Sequence, residues 1–352
     1  MERQDRDLAF MLRYENVAWY EDGKVKILDR RVYPTSVRYE VCNSHQEVAQ
    51  AVTDMVTQSA GPYTAAGMGM ALAAYEAREM KEVDQLEYLR KAAETIATAR
   101  PTTTKRMRII VEGCLEVAET ALEEGKRVDE AIFLHTVDHT ENRYKRIGKV
   151  AVNLVDLFPD KGTIMTQCFG ETIVGLMLRE AKERNKDIKV ICPETRPYFQ
   201  GARLTASVAQ DQGFHTTVIT DNMPAYVMEK KKVDLFTSAA DAICLDGHIV
   251  NKIGTYQIAI VAKHLGIPYF VTGIPDKGHD TIDTVTIEER DPEFVLQAMG
   301  VRTAMEGVNG FYPSFDATPP HLVSGVVTDR GIFSAYDLHR YFKEGEKAEL
   351  VL

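Results

Sequence analysis

The chain has 352 residues, 45% of them hydrophobic and 27% charged, with a net charge of -10. That length predicts two domains with ample core. The acidic balance excludes bulk nucleic-acid binding and docking on anionic membranes, and leaves room for a local cation cluster that grips an anionic metabolite.

Five scattered cysteines, at 42, 114, 168, 192 and 244, lack CxxC spacing and read as reduced thiols, not as a disulfide framework or a zinc site. The N-terminal Met1–Asp7 is charged and the apolar Leu8–Leu12 is too short for a signal core. With no apolar run of membrane-spanning length, the expectation is a cytoplasmic protein.

In chain order, residues 17–39 alternate in the manner of strands, with Val17–Tyr20 and Lys24–Leu28 flanking the hairpin signal Glu21-Asp-Gly23. Helical periodicity follows over His45–Gln58, Thr64–Arg78, Val83–Ala99 and Thr102–Glu124. Ala60-Gly-Pro62 interrupts the first two, and Pro101 stands where a missing N–H costs little. The Gly67-Met-Gly-Met70 stretch reads as helix packing. A helix over Thr140–Phe158 leads into the second half.

From Lys161 the pattern becomes strand, loop, helix, repeated. Strands are predicted at Thr163–Thr166, Ile188–Cys192, Thr216–Thr220, Leu235–Ser238, Ile267–Val271 and Leu322–Thr328. Helices are predicted at Glu171–Arg184, Ala202–Gln212, Pro224–Lys231 and Thr255–Leu265. This alternation implies a parallel sheet covered on both faces. The expected architecture is α/β: a small, mainly helical domain with a β start over 1–135, then a Rossmann-like domain over 136–352.

Chemistry gathers at predicted strand ends, where open α/β sheets bind ligands. Cys168 sits in the turn between a strand and a helix, whose dipole can draw a thiol toward thiolate; the alternative is a small core residue. Asp241 follows an apolar strand, and burial would let it hold a proton at neutral pH; the alternative is a turn aspartate. Asn251-Lys-Ile-Gly254 reads as a loop ahead of a helix, where Lys252 and free N–H groups would suit a phosphate, or as a solvated lysine. Arg100 is a second phosphate ligand or a surface charge, and Glu194 and Arg196 are placed to pair.

The blocks Thr166-Gln-Cys168, Glu194-Thr-Arg-Pro197, Gln200-Gly-Ala-Arg-Leu-Thr-Ala206, Thr220-Asp-Asn-Met223, Ala240-Asp-Ala-Ile243, Asn251-Lys-Ile-Gly-Thr-Tyr256 and Pro313-Ser-Phe-Asp-Ala-Thr-Pro-Pro320 run in order through nearly the whole chain. Together they resemble the methylthioribose-1-phosphate isomerase family. Its superfamily also holds ribose-1,5-bisphosphate isomerases and the regulatory subunits of translation initiation factor 2B.

The resemblance implies an aldose–ketose isomerase acting on a 5-modified ribose 1-phosphate, such as the 5-methylthio or 5-deoxy sugar. Cys168 matches the catalytic cysteine and Asp241 the catalytic aspartate. Arg100, Gln200, Asn251 and Lys252 match contacts to substrate or phosphate. The family's Arg-Gly-Ala-Pro block, which helps hold the substrate, appears as Gln58, Ser59, Ala60 and Gly61, and its usual asparagine after the cysteine is Phe169. Losing that arginine removes a charge-assisted contact, and the phenylalanine makes the pocket drier, so the C5 substituent stays open. A homodimer is implied, a cofactor is not. The competing readings are a non-catalytic sugar-phosphate or nucleotide sensor resembling the translation-factor subunits, and a ribose-1,5-bisphosphate isomerase. Retention of both Cys168 and Asp241 favours the enzyme over the sensor.

Overall fold

The computed structural model describes residues 3–100 and 104–343. The chain divides into two compact units between Lys145 and Arg146.

The first unit opens on a short helix α1 (Tyr14–Val17) and an antiparallel sheet of β1 (Trp19–Glu21), β2 (Lys24–Leu28) and β3 (Tyr39–Cys42), in that order. The expected hairpin is present, with Glu21 opposite Lys24. Asp22 and Gly23 between them both take positive φ, 50° and 71°, as a two-residue loop of matching twist requires. Strand alternation puts Val25 and Ile27 in the core and leaves Lys24 and Lys26 outside.

Helix α2 (His45–Thr53) is capped by Ser44, which accepts the Glu47 N–H at 3.2 Å, while the Glu47 carboxylate accepts the Asn43 N–H at 2.7 Å. It stops five residues short of Gln58 because Met55 turns to a φ of 60°, which a right-handed helix cannot continue through. Helix α3 (Gly61–Ala77) starts with Pro62 in its first turn and is buried on nearly every side, Met68 and Met70 included. A helix apolar all round must be surrounded. The amphipathic α2, α4 (Glu82–Ala97) and α5 (Thr104–Glu123) pack against it, presenting Val48, Ile96, Met107 and Val111 among others. The predicted start of α5 at Pro101–Thr102 lies outside the described residues. Helix α6 (Val128–Val155), much longer than the Thr140–Phe158 segment, carries the chain into the second unit.

The second unit alternates as expected: β4 (Lys161–Met165), α7 (Thr172–Glu183), β5 (Asp187–Pro193), α8 (Ala206–Asp211), β6 (His215–Ile219), α9 (Pro224–Lys231), β7 (Leu235–Ala239). Two short strands not foreseen, β8 (Ala242–Ile243) and β9 (Ile249–Lys252), come before α10 (Thr255–His264) and β10 (Tyr269–Thr272). A long excursion then carries α11 (Glu293–Leu296), β11 (Gln297–Ala298) and β12 (Val301–Arg302). It ends in β13 (Phe315–Thr318), followed by β14 (Gly325–Thr328), β15 (Gly331–Phe333) and α12 (Arg340–Lys343). Among the described residues no helix is long and apolar enough to cross a membrane.

The seven-stranded sheet runs β15-β14-β10-β7-β4-β5-β6, parallel except for the edge strand β15. Numbering only its parallel strands from β4, the spatial order is 3-2-1-4-5-6, the doubly wound arrangement. The order reverses between β4 and β7, which pair at Ile164 with Leu235 and at Met165 with Phe236. A crevice opens at such a reversal, beyond the carboxyl ends of the two strands. The small sheet β13-β9-β8 is antiparallel, with Lys252 opposite Phe315 and Asn251 opposite Asp316.

Candidate active site

Cys168 lies three residues beyond the end of β4 and Asp241 two beyond the end of β7, so the two strands that flank the reversal carry them. The turn holding Cys168 is clamped at both ends. Its N–H donates to the Thr195 hydroxyl at 3.2 Å, and its carbonyl accepts a short hydrogen bond from the Thr205 hydroxyl. Cys168 takes a φ of 56°, a conformation that costs a non-glycine residue energy and is held by these bonds.

Thr195 is fixed in turn. Its hydroxyl donates to the Pro193 carbonyl at 3.2 Å, and the Asp221 carboxylate accepts the N–H groups of Thr195 and Arg196 at 2.8 and 2.6 Å. Gly201 packs so closely beneath that a Cβ there would stand 1.8 Å from the Pro193 oxygen, so only glycine fits. Gln200, beside it, is buried.

The second sheet supplies the cation. Lys252, 6% exposed, stands with its ammonium 4.5 Å from the centroid of the Phe315 ring. Asn251, also buried, donates to the Thr255 hydroxyl at 3.1 Å, which donates to the Lys252 carbonyl at 2.7 Å. Asn251 and Lys252 are thus strand residues, where a loop was expected. Val250, Asn251 and Lys252 pair with Ala317, Asp316 and Phe315, a partner strand some 60 residues on that local pattern cannot reveal. At the N-terminus of α10 two of the N–H groups are already taken. The Asp316 carboxylate accepts the Gly254 N–H at 2.7 Å and the Tyr256 N–H at 3.1 Å. Burial pushes Asp316 up to about 6, against the pull of those N–H groups and of Lys252.

The charge states differ from those the sequence predicts. Cys168 is half-buried as a residue, yet its sulfur lies deep enough that burial pushes the thiol up to about 12. Lys252 and the Phe169 N–H pull it down; the negative charges of Asp241 and Asp221 push it up. The helix dipole does not make a thiolate, because α7 begins only at Thr172, with Glu171 at its N-cap, and the dipole's effect fades within the first turn. Asp241 is exposed, not buried. The chain has already left the sheet at Ala239, and Asp241 continues into the turn before β8 with its N–H on the Val250 carbonyl at 2.8 Å. At rest the proton therefore sits on sulfur.

One consequence is measurable. A thiol at about 12 carries roughly a thousandfold less thiolate at neutral pH than an ordinary one. Iodoacetamide labelling of Cys168, read by peptide mass spectrometry, is expected to be slow at pH 7 and to rise about tenfold per pH unit well past pH 9. Labelling that levels off near pH 8.5 would show the thiol to be unperturbed.

Glu194 and Arg196 do not form the expected ion pair. The Arg196 guanidinium donates to the main-chain carbonyls of Phe294, Val295 and Gln297, at 3.4, 3.5 and 2.6 Å, and so caps the end of α11. Phe169 is buried beside Cys168.

The remaining predicted residues belong to the first unit. Gln58 is 4% exposed, its carbonyl accepting from Arg30 at 2.7 Å and its side-chain oxygen making no hydrogen bond to a described residue. Ser59, at a φ of 58°, is exposed, and Ala60 is the N-cap of α3. Arg100 is half-buried, and its carbonyl accepts from the Thr104 hydroxyl at 3.1 Å. Thr53, at the end of α2, donates to the Ala99 carbonyl at 2.7 Å, tying the stretch ahead of Gln58 to the one that holds Arg100. Arg30 escaped sequence reading, since a lone arginine in a charged stretch looks like surface; it is wholly buried.

Known proteins resemble this chain over most of its length. The model of the initiation factor 2 subunit family matches residues 58–335. A putative methylthioribose-1-phosphate isomerase from Methanocaldococcus jannaschii is 35% identical, over 90% of this chain and 94% of its own length. A methylthioribose-1-phosphate isomerase from Thermotoga petrophila is 34% identical, over 91% and 95%. Among solved structures, a 5-methylthioribose 1-phosphate isomerase from Pyrococcus horikoshii superposes with a TM-score of 0.82 at 27% identity, covering 95% of this chain and 98% of its own. A translation initiation factor 2B delta subunit from A. fulgidus superposes at 0.79 and 31% identity, covering 90% and 95%.

Proposed function

The chain belongs to the initiation factor 2 subunit family, and from that premise we propose that it isomerises a 5-modified ribose 1-phosphate to the corresponding ribulose 1-phosphate. It is an enzyme of the isomerase kind, as its curated relatives are. The substrate proposed is the 5-methylthio or the 5-deoxy sugar. The observation that carries the reading is the seating of Cys168 and Asp241 beyond adjacent strands at the sheet's reversal, with Lys252 near enough to pull on the sulfur.

The resting charges supply a route. A sugar seated over Asp241 would strip water from its carboxylate and raise its affinity for a proton. Neutralising Asp241 would remove its push on Cys168 and leave the pull of Lys252. One proton would then pass from sulfur to carboxyl.

Asp241 would give that proton to the ring oxygen and open the ring. The Cys168 thiolate would take the C2 hydrogen as a proton, leaving an enol phosphate, and return it to C1. As the C2 ketone forms, the O2 proton would go to Asp241, and on product release it would pass back to sulfur and restore the resting thiol and carboxylate. Every proton is accounted for, and each transfer is general acid–base catalysis. Lys252, Asn251 and Gln200 are proposed to hold the phosphate and the sugar; Arg100 and the 58–60 stretch keep the substrate-contact role that the family resemblance implies, and a homodimer is proposed, whose mass sedimentation would show.

The test is a panel of ribose 1-phosphates carrying methylthio, hydrogen, hydroxyl or phosphate at C5, followed by NMR for ketose formation. Turnover of the methylthio or deoxy sugar is expected, with the 1,5-bisphosphate poor for want of a cation at Gln58. No ketose from any of them would overturn the isomerase reading.

A further inference from the structure

The loop that enters β13 places two hydroxyls against the Cys168 neighbourhood, and nothing in the reaction above uses them. Tyr312 is 3% exposed and Ser314 is fully buried. Their backbones are pinned: the Arg290 N–H donates to the Tyr312 carbonyl at 3.0 Å, the Ser314 N–H to the Glu288 carbonyl at 2.8 Å, and the Ile253 N–H to the Ser314 carbonyl at 3.1 Å. The Ile253 carbonyl in turn accepts from the Gln167 side chain at 3.2 Å, and Gln167 directly precedes Cys168. One short chain of bonds therefore fixes Ser314 relative to the cysteine turn. Cys168 and Arg290 both lie within electrostatic range of the Tyr312 phenol.

The side chains are less well provided for. The Tyr312 and Ser314 hydroxyls interact with each other, and neither has a further hydrogen-bond partner among the described residues. The side-chain oxygens of Gln167 and Gln200, both buried, have no partner there at all. A buried polar atom left unsatisfied is costly, and native structures hold few of them. The two amide oxygens, and the bonding capacity the two hydroxyls have left over, point to a partner that arrives from outside.

The chemistry of the four atoms narrows that partner. Two are amide oxygens, which only accept; two are hydroxyls, which donate and accept. A phosphate dianion offers an amide oxygen nothing, whereas sugar hydroxyls satisfy both kinds. We propose that Tyr312 and Ser314 read a ring hydroxyl of the pentose, as specificity residues of the site; this rests on the isomerase reading and adds to it. Sites built to hydrogen-bond a hydroxyl reject the analogue that lacks it strongly, because their own buried groups are then left unpaired.

The experiment is a substrate–variant cycle. Wild type, Tyr312→Phe and Ser314→Ala are each titrated by calorimetry with 5-deoxyribose 1-phosphate and with its 2-deoxy and 3-deoxy analogues. Wild type is expected to bind one analogue at least about tenfold more weakly than the parent. Tyr312→Phe and Ser314→Ala are expected to weaken the parent and to leave that analogue nearly unchanged, so that the discrimination collapses. A general loss of structure would lower all three affinities and keep their ratios, and retained ratios in both variants would overturn the inference while leaving the isomerase intact. Failure of the wild type to bind any pentose 1-phosphate would overturn both.

Discussion

Replacing Cys168 with serine, or Asp241 with asparagine, is expected to cut turnover by about 10²–10⁴-fold, the span that a positioned acid or base contributes. Both variants are expected to fold. Asp241 is exposed, and surface changes of that kind shift stability by about 0.5 kcal/mol or less. Cys168 is held by its N–H and carbonyl, which serine retains, and the two side chains are close in size. Circular dichroism melting therefore separates loss of chemistry from loss of structure. Full activity in either variant would remove that residue from the reaction.

The same assay in D₂O separates two routes. Deuterium at C1 of the ketose follows from proton abstraction and return through Cys168. Complete retention of the C2 hydrogen would mean a hydride shift, with the thiol only polarising the site. The resting proton on sulfur gives this experiment its weight, because the thiolate exists only if seating the sugar moves that proton to Asp241.

What could be read from the residues follows from how local each signal is. The parallel strands of the second unit are short apolar runs with helices between them, and each was legible from its own neighbourhood; α9 agrees to the residue, Pro224–Lys231. The small sheet was not legible. Strand β9 is four residues long and pairs with β13 across more than 60 positions, so no window around Asn251-Lys252 contains the reason it is extended. The site shows the same division. Cys168, Asp241 and Lys252 could be named from strand ends and from the family blocks, but their charge states could not. The proton on Cys168 is set by burial together with Asp241, Asp221 and Lys252, which arrive from three other segments of the chain. Asp316 was hidden for a related reason: only the folded chain brings its carboxylate to the Gly254 and Tyr256 N–H groups. Tyr312 and Ser314 had a weak signal at most, two hydroxyls beside a proline.

Lys252→Met is the second substitution with a large expected effect, and it tests the anion site and the thiol together. Methionine keeps most of the stem that lies against Phe315 and removes only the charge. If Lys252 grips the 1-phosphate, a charge-assisted hydrogen bond worth about 1.5–3 kcal/mol is lost, and affinity for the sugar phosphate falls by roughly 10- to 150-fold. The charge also pulls the Cys168 thiol down, so its removal drives that thiol further up. The alkylation profile of Cys168 is then expected to move to higher pH and kcat to fall along with affinity. Asp316, also held down by Lys252, would rise from about 6 toward neutrality. A carboxyl raised in the folded protein favours folding while protonated, so that contribution is present below the ordinary carboxyl range and is lost as pH climbs through the folded value. The variant is thus expected to lose melting temperature, relative to wild type, most clearly above about pH 6. A structural lysine alone would move the melting curve and leave the alkylation profile and the phosphate affinity where they were. Unchanged affinity in Lys252→Met would place the phosphate elsewhere in the crevice.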